Sequence, residues 1–252
     1  MPSAAVDRFD NLDFEAFRGL ARDASLSRHE KVGFPDSYRE GKEEAIFRDV
    51  VSKLASLQRS GGRVVEVGPG CSALPTMLAD RCAERRSELI WVDSAEMLAL
   101  LPDAPHVRKV VGRFPQALLP LLHELAGTVD TIVAYSVAQY VFAEGNLFQF
   151  LDTCLALLGA GGELLIGDLP NQTMRKRFFA SAAGAASHRR YTGSDEPPPV
   201  HFNRLEPGLI DDSVVLALLS RARAQGFHAW VVPQAPDLPM ANRREDVLIR
   251  RP

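Results

Sequence analysis

Arg63-Val64-Val65-Glu66-Val67-Gly68-Pro69-Gly70-Cys71-Ser72 decides how this chain folds. Its first five residues form a short β-branched run, the pattern of a buried strand. Gly68 and Gly70 carry no side chain, so a ligand can approach the backbone closely. A helix is predicted from about Ala73 to Arg86, and its first turn offers free N–H groups. The next predicted strand, Leu89 to Val92, ends at Asp93. In an open parallel sheet, ligands bind beyond the carboxyl ends of the strands. A carboxylate at Asp93 can accept both hydroxyl hydrogens of a ribose. Each element alone also reads more plainly, as a tight turn or a helix N-cap. On consecutive strand ends, the two together read as a nucleoside site.

Outward from this unit, strands and helices alternate. Further strands are predicted at Val107 to Val111, Val129 to Tyr135 and Glu163 to Ile166, the last ending near Asp168. Helices are predicted at Ala95 to Leu101, Phe114 to Leu125 and Leu147 to Leu158. Pro115 and Pro120 make the second of these irregular. Gly159-Ala160-Gly161-Gly162 stops the third. The spacing predicts an α/β fold with a doubly wound, Rossmann-like sheet, mostly parallel, with helices on both faces.

Before the first strand, Ile46, Val50, Leu54 and Leu57 mark a helix within Glu40 to Leu57. Residues 1–38 hold the aromatic anchors Phe9, Phe14, Phe17 and Phe34 and read as short helices over the main domain. After the fifth strand, Met174 to Ala186 is helix-like and basic. Residues 187–210, with Pro197-Pro198-Pro199, read as an irregular, lid-like insertion. A helix at Asp211 to Ala224 precedes two strands, Phe227 to Val232 and Asp246 to Arg250, joined through Pro233, Pro236 and Pro239. The expected organisation is a helical cap over 1–58 and a main domain over 59–252.

A formal charge of −3 gives no surface built to neutralise phosphates, so nucleic acid is not the expected partner. Cys71, Cys82 and Cys154 form no CxxC pair, which fits a reducing compartment. Asp7, Arg8, Asp10, Asp13 and Glu15 leave no apolar core for a secretory signal. No apolar run has the length of a membrane span. The expectation is a soluble cytoplasmic protein with no membrane partner, and no metal site is predicted.

The segment Val64 to Gly70 resembles the first motif of class I S-adenosylmethionine (SAM)-dependent methyltransferases: an acidic residue, then glycine-x-glycine, closing an apolar strand. Ile90-Trp91-Val92-Asp93 is similar to the second motif, whose acid holds the ribose. Asp130 to Ser136 and Leu158 to Ile166 resemble the family's fourth- and fifth-strand motifs, and the terminal strands resemble its reversed hairpin. The resemblance implies a seven-stranded sheet with a C-terminal antiparallel hairpin, SAM as methyl donor and S-adenosylhomocysteine as product. It covers about residues 40 to 250. Two positions depart from the pattern. Ser72 stands at the third glycine, and Arg113 lies where the family often places an acid near the adenine amine.

The cofactor residues so implied are Glu66, Gly68, Gly70, Asp93, Ser94, Arg113, Phe114, Tyr135 and Ser136, with Phe114 stacking on adenine. Tyr38 or Arg39 is expected to meet the methionine carboxylate. Acceptor residues are expected at the ends of the fourth and fifth strands and in the lid: Gln139, Tyr140, Asn171, Lys176 and Arg189. A basic stretch there suits an anionic substrate. An oxygen or nitrogen acceptor calls for a base, and Asp168 and His188 are the candidates. The stretches Gly167 to Asn171, Arg175 to Phe179 and Pro239 to Ile249 also look like methyltransferases of bacterial surface-sugar biosynthesis, which implies O-methylation of a sugar or another small polar metabolite. Two rival readings stand beside this one. Gly68 to Ala73 can be written G-x-G-x-x-A, the fingerprint of an NAD(P)-dependent dehydrogenase. A non-catalytic SAM-binding or interaction protein would share the fold.

Overall fold

The structure, a computed structural model, describes residues 12–204 and 206–252, with Ser37 described by its backbone alone. The readings placed on residues 1–11, Phe9 included, lie outside the described residues, as does Leu205 of the insertion. The strands are β1 (Arg63–Val67), β2 (Glu88–Asp93), β3 (Val107–Val111), β4 (Val129–Tyr135), β5 (Leu158–Pro170), β6 (His228–Pro233) and β7 (Arg244–Arg250). They form one seven-stranded sheet in the order β3-β2-β1-β4-β5-β7-β6. Pairing is parallel from β3 to β5, and β7 runs antiparallel to both its neighbours. The antiparallel β7 between β5 and β6 departs from the 3-2-1-4-5-6 order of a dinucleotide-binding sheet.

Strand alternation explains the apolar runs, because both faces are covered. Val65, Val67, Ile90, Val92, Ile132 and Ile166 pack toward the helices Leu147–Leu157 and Asp212–Ala224. Val64, Leu89, Trp91, Val133 and Leu165 pack toward the helices Glu43–Lys53 and Ala73–Glu84. Each fully buried Leu or Ile contributes roughly 1.5–3 kcal/mol of burial free energy. The strand order reverses between β1 and β4, and that is where an α/β sheet opens a crevice.

Several boundaries differ from the sequence reading. The helix expected over Phe114 to Leu125 is a 3-10 turn, Gln116–Leu121, holding Pro120, then one α-turn, Leu122–Leu125. The helix expected to run to Leu57 stops at Lys53, and a 3-10 turn, Ala55–Gln58, follows. The sequence reading also missed a helix at Ala138–Glu144.

The basic helix after β5 is two helices, Gln172–Phe179 and Ala182–Thr192. Ser181 caps the second, its Oγ accepting from Gly184 N at 3.1 Å. The turn between them is so tight that a Cβ at Gly184 would lie 2.0 Å from the Phe178 carbonyl oxygen. The alanine-rich run Ala182-Ala183-Gly184-Ala185-Ala186 extends helix into the expected insertion, which is irregular only after Thr192. β7 begins at Arg244, two residues earlier than expected, which sets Arg244 opposite Pro170 of β5. Among the described residues, no helix is long and apolar enough to cross a membrane.

Candidate functional site

The glycine loop is stitched to the next two strands by backbone bonds. Gly68 N donates to Val92 O at 2.9 Å, and Gly112 N donates to Asp93 O at 2.9 Å. The Asp93 carboxylate accepts from Gly70 N at 3.2 Å and from Ser94 N at 2.6 Å. Ser94 is buried and spends its hydroxyl as the N-cap of Ala95–Leu98. Burial pushes the Asp93 carboxyl up to about 6, with the two backbone donors opposing. Asp93 lines the crevice, and each of its oxygens accepts one backbone bond, which leaves lone-pair capacity on both.

Beside Asp93 lies a cavity of about 150 Å³. Val67, Gly68, Pro69 and Gly70 line it, together with Met97, Arg113 and Phe114 and with Tyr135, Ser136 and Tyr140. Gly68 and Gly70 both sit in the left-handed region, at φ +63° and +65°. A Cβ at Gly68 would fall 2.6 Å from Val137 Cγ2, and one at Gly70 would fall 2.5 Å from Val32 Cγ1. The loop is therefore a close-packed cradle under Val32 and Val137, in which a side chain at either glycine would collide.

The roof comes from the segment before β1. Phe14, Phe17, Val32, Phe34 and Arg39 all line the cavity. Phe17 meets Tyr140 edge-on at 4.8 Å. Arg18 Nε and Nη2 each reach Glu96 at 2.9 Å. Lys31 Nζ donates to Ala21 O at 3.0 Å. His29 lies between Asp36 and Glu43; burial opposes its charge, but the two carboxylates outweigh that and raise its pKa. Sequence reasoning found Phe14, Phe17 and Phe34 as anchors but gave them no part in the site. Their spacing with Gly33-Phe34-Pro35 was the available signal.

Arg39 is buried, with Phe34 stacked 4.0 Å from its guanidinium carbon. Its Nη2 donates to Ser136 Oγ at 2.6 Å and to Asp168 Oδ2 at 2.6 Å. Ser136 also contacts Asp168 directly through a very short hydrogen bond. Arg244 Nη1 reaches the same Asp168 oxygen at 2.7 Å. Behind it, Asp246 Oδ1 accepts from Asp168 N at 2.8 Å, and Lys53 Nζ donates to Asp246 Oδ2 at 2.7 Å. Ser136 and Asp168 hold φ values of +60° and +59°. Such conformations persist in non-glycine residues where the surroundings over-determine them.

The structure places Asp168, expected as a base, off the cavity lining: it is 2% exposed, and its Oδ2 accepts from two guanidinium groups and a hydroxyl. His188 is no better placed: it sits on Ala182–Thr192, its ring edge-on to Phe179 at 6.4 Å, and does not line the cavity.

Gly68, Gly70, Asp93, Arg113, Phe114, Tyr135, Ser136, Tyr140 and Arg39 do line it. Ser94 and Glu66 do not. Glu66 is buried, and its Oε2 accepts from Trp91 Nε1 at 2.7 Å. Tyr38 turns away toward Tyr191. Gln139 sends its Nε2 to Ser136 O at 2.9 Å.

Three expected acceptor residues serve the scaffold instead. Asn171 is buried; it caps Gln172–Phe179 through Thr173 N at 2.9 Å and Met174 N at 3.0 Å, and its Nδ2 reaches Asp212 at 2.8 Å. Lys176 pairs with Glu206 at 3.2 Å, and Arg189 with Asp195 at 3.2 Å. Among the described residues, no group of three His, Cys, Asp or Glu side chains is arranged for a metal.

No family model matches the chain. It is 26% identical over 183 residues to the nonribosomal peptide synthetase CymA of Salinispora arenicola, a match covering 70% of this chain and 2% of that protein. The CurJ carbon methyltransferase superposes with a TM-score of 0.53 at 16% identity, covering 98% of this chain and 66% of that one. An O-methyltransferase family protein of Burkholderia thailandensis superposes with a TM-score of 0.55 at 15% identity, covering 95% and 63%. The chain thus spans less than two thirds of the length of these solved relatives and a small fraction of the synthetase. Its sheet order and its likeness to these structures give it the fold of the class I SAM-dependent methyltransferases.

Proposed function

We propose that the cavity binds SAM and that the chain transfers its methyl group to a small polar acceptor, leaving S-adenosylhomocysteine. The observation that carries this reading is Asp93 beside the Gly68-Pro69-Gly70 cradle on one cavity wall. In this reading Asp93 takes the ribose hydroxyls, and Phe114 and Met97 flank the adenine. Arg39, the member of the Tyr38/Arg39 pair that lines the cavity, meets the methionine carboxylate with its remaining N–H groups.

The sulfonium supplies an activated methyl group, so the protein's share is to hold a nucleophile in line with it and to exclude water. Phe14, Phe17 and Phe34 roof the cavity for that purpose. Tyr140, with its ring held by Phe17, stands where the acceptor enters. An oxygen acceptor is the finer part of the proposal. It rests on the similarity of the segments around Asp168 and Arg243 to sugar-modifying methyltransferases.

The test is calorimetric titration with SAM, S-adenosylhomocysteine and NADH, followed by a turnover assay on a panel of sugar and small-metabolite acceptors. Binding of the two adenosyl compounds with S-adenosylhomocysteine release is the expected result. NADH binding alone would overturn the assignment. Adenosyl binding without turnover on any acceptor class would leave a non-catalytic binder.

A further inference from the structure

Two groups stand apart among the basic residues after β5. Lys176, Arg177 and Arg189 each face a carboxylate of this chain: Glu206, Asp212 and Asp195. Arg175 and Arg243 have no carboxylate within ion-pair distance among the described residues. Both stand on one aromatic ring, with guanidinium carbons 5.1 Å and 5.6 Å from the Phe179 centroid. Arg244, next in sequence to Arg243, lies 5.6 Å from the centroid of Phe34, the ring that also carries Arg39. Four guanidinium groups from three parts of the chain thus converge, and among the described residues Asp168 is the one carboxylate that contacts any of them within ion-pair distance.

Arg243 is half-buried, and burial with the charges of Arg175 and Arg244 lowers its pKa. Holding an unpaired, partly desolvated charge beside two like charges costs free energy. The arrangement makes physical sense when an anion completes it. Tyr38 and Tyr191 lie against each other beside Arg243 and add hydroxyl donors. The corner is open, since Arg175 and Tyr191 are exposed. Phe34, the ring beside Arg244, also lines the cavity, which sets this corner next to it.

We propose that Arg243 and Arg175 bind the anionic end, a carboxylate or a phosphate, of the molecule this chain methylates. Planar guanidinium groups favour both oxyanions through bidentate bonds, and the Phe179 face holds them ready. This deepens the methyltransferase reading and rests on it for the word acceptor, but the anion site itself can be tested separately.

The experiment titrates the full chain with benzoate, with inorganic phosphate and with uncharged benzamide, at constant ionic strength, with and without saturating S-adenosylhomocysteine. Saturable binding of at least one anion and none of benzamide is expected, and which anion binds decides between carboxylate and phosphate. Arg243→Gln, and separately the exposed Arg175→Gln, should each weaken that anion roughly tenfold, while the S-adenosylhomocysteine Kd moves less than about threefold. Absence of saturable anion binding, equal binding of benzamide, or unchanged anion affinity in both variants overturns the proposal. Anion binding by a protein that ignores S-adenosylhomocysteine would keep the anion site and remove the methyltransferase reading.

Discussion

Arg39 Nη2 lies 2.6 Å from Asp168 Oδ2, so a residue of the roof segment is bonded to the end of β5 across the cavity wall. The pair is a structural latch, and that role differs measurably from a catalytic one. Asp168→Asn leaves Arg39 and Arg244 without their counter-ion, and removing one partner of a buried pair costs about 3–5 kcal/mol. Urea denaturation should show that loss, together with weaker SAM binding. A catalytic base would behave otherwise: the variant would keep its stability and its SAM affinity and lose only turnover. Arg39→Lys keeps the charge but loses the planar fork, and about 1–2 kcal/mol of destabilisation is expected.

In the proposed function, Asp93 would link SAM binding to pH. Burial holds its carboxyl at about 6 in the unliganded protein, above the usual 3.8. Ribose hydroxyls donate to the ionised form, so binding favours loss of that proton. SAM affinity should therefore be level above pH 6 and fall toward tenfold per pH unit below it, as linkage requires for one proton. In the unliganded protein the sign is opposite: a raised carboxyl stabilises the fold at pH below 3.8, and that contribution is lost as pH rises through about 6. Asp93→Asn should abolish the pH dependence of binding and weaken SAM by at least about tenfold, or 1.4 kcal/mol. Calorimetry from pH 5 to 8 checks both.

What was legible in the sequence was local. The β1 loop and Asp93 were readable because strand, glycines and acid lie within one short βαβ unit. Asn171, expected among the acceptor residues, caps the helix that begins at Gln172. The contacts of Asp168 were not readable, because the arginines that bond it stand 129 and 76 residues away in the chain. Glu66 was placed in the site by motif. The two-residue period of β1 instead puts its side chain on the face opposite the one shared by Val65 and Val67. The roof residues were hidden for a related reason. Val32 matters only because tertiary packing lays it over Gly70.

Glu66 and Trp91 are direct neighbours across β1 and β2, and burial pushes the Glu66 carboxyl up to about 8 although Trp91 donates to it. A raised carboxyl stabilises the fold below its unfolded value of 4.5, and that contribution is lost as pH rises through about 8. Wild-type stability should carry a slope of up to about 1.4 kcal/mol per pH unit across that window, and Glu66→Gln should remove it. The variant gains relative stability as pH rises and levels off above pH 8. Denaturation curves at pH 5, 7 and 9, followed by the fluorescence of buried Trp91, test this. Parallel curves at every pH would show that Glu66 is ionised in the folded protein.

Gly70→Ala tests the contact between loop and roof. The backbone there is left-handed at φ +65°, and the new methyl would press on Val32 Cγ1 from 2.5 Å. Strain of this kind costs of order 1–3 kcal/mol. The roof can relieve the clash by lifting Val32, which would open the cavity beside Asp93. The variant should then lose SAM affinity by more than its stability loss explains, and Val32→Ala in the same chain should restore part of the affinity by removing the clashing methyl. Equal losses in the single and double variants would mean that backbone strain at Gly70 acts alone and that the roof does not bear on the ligand.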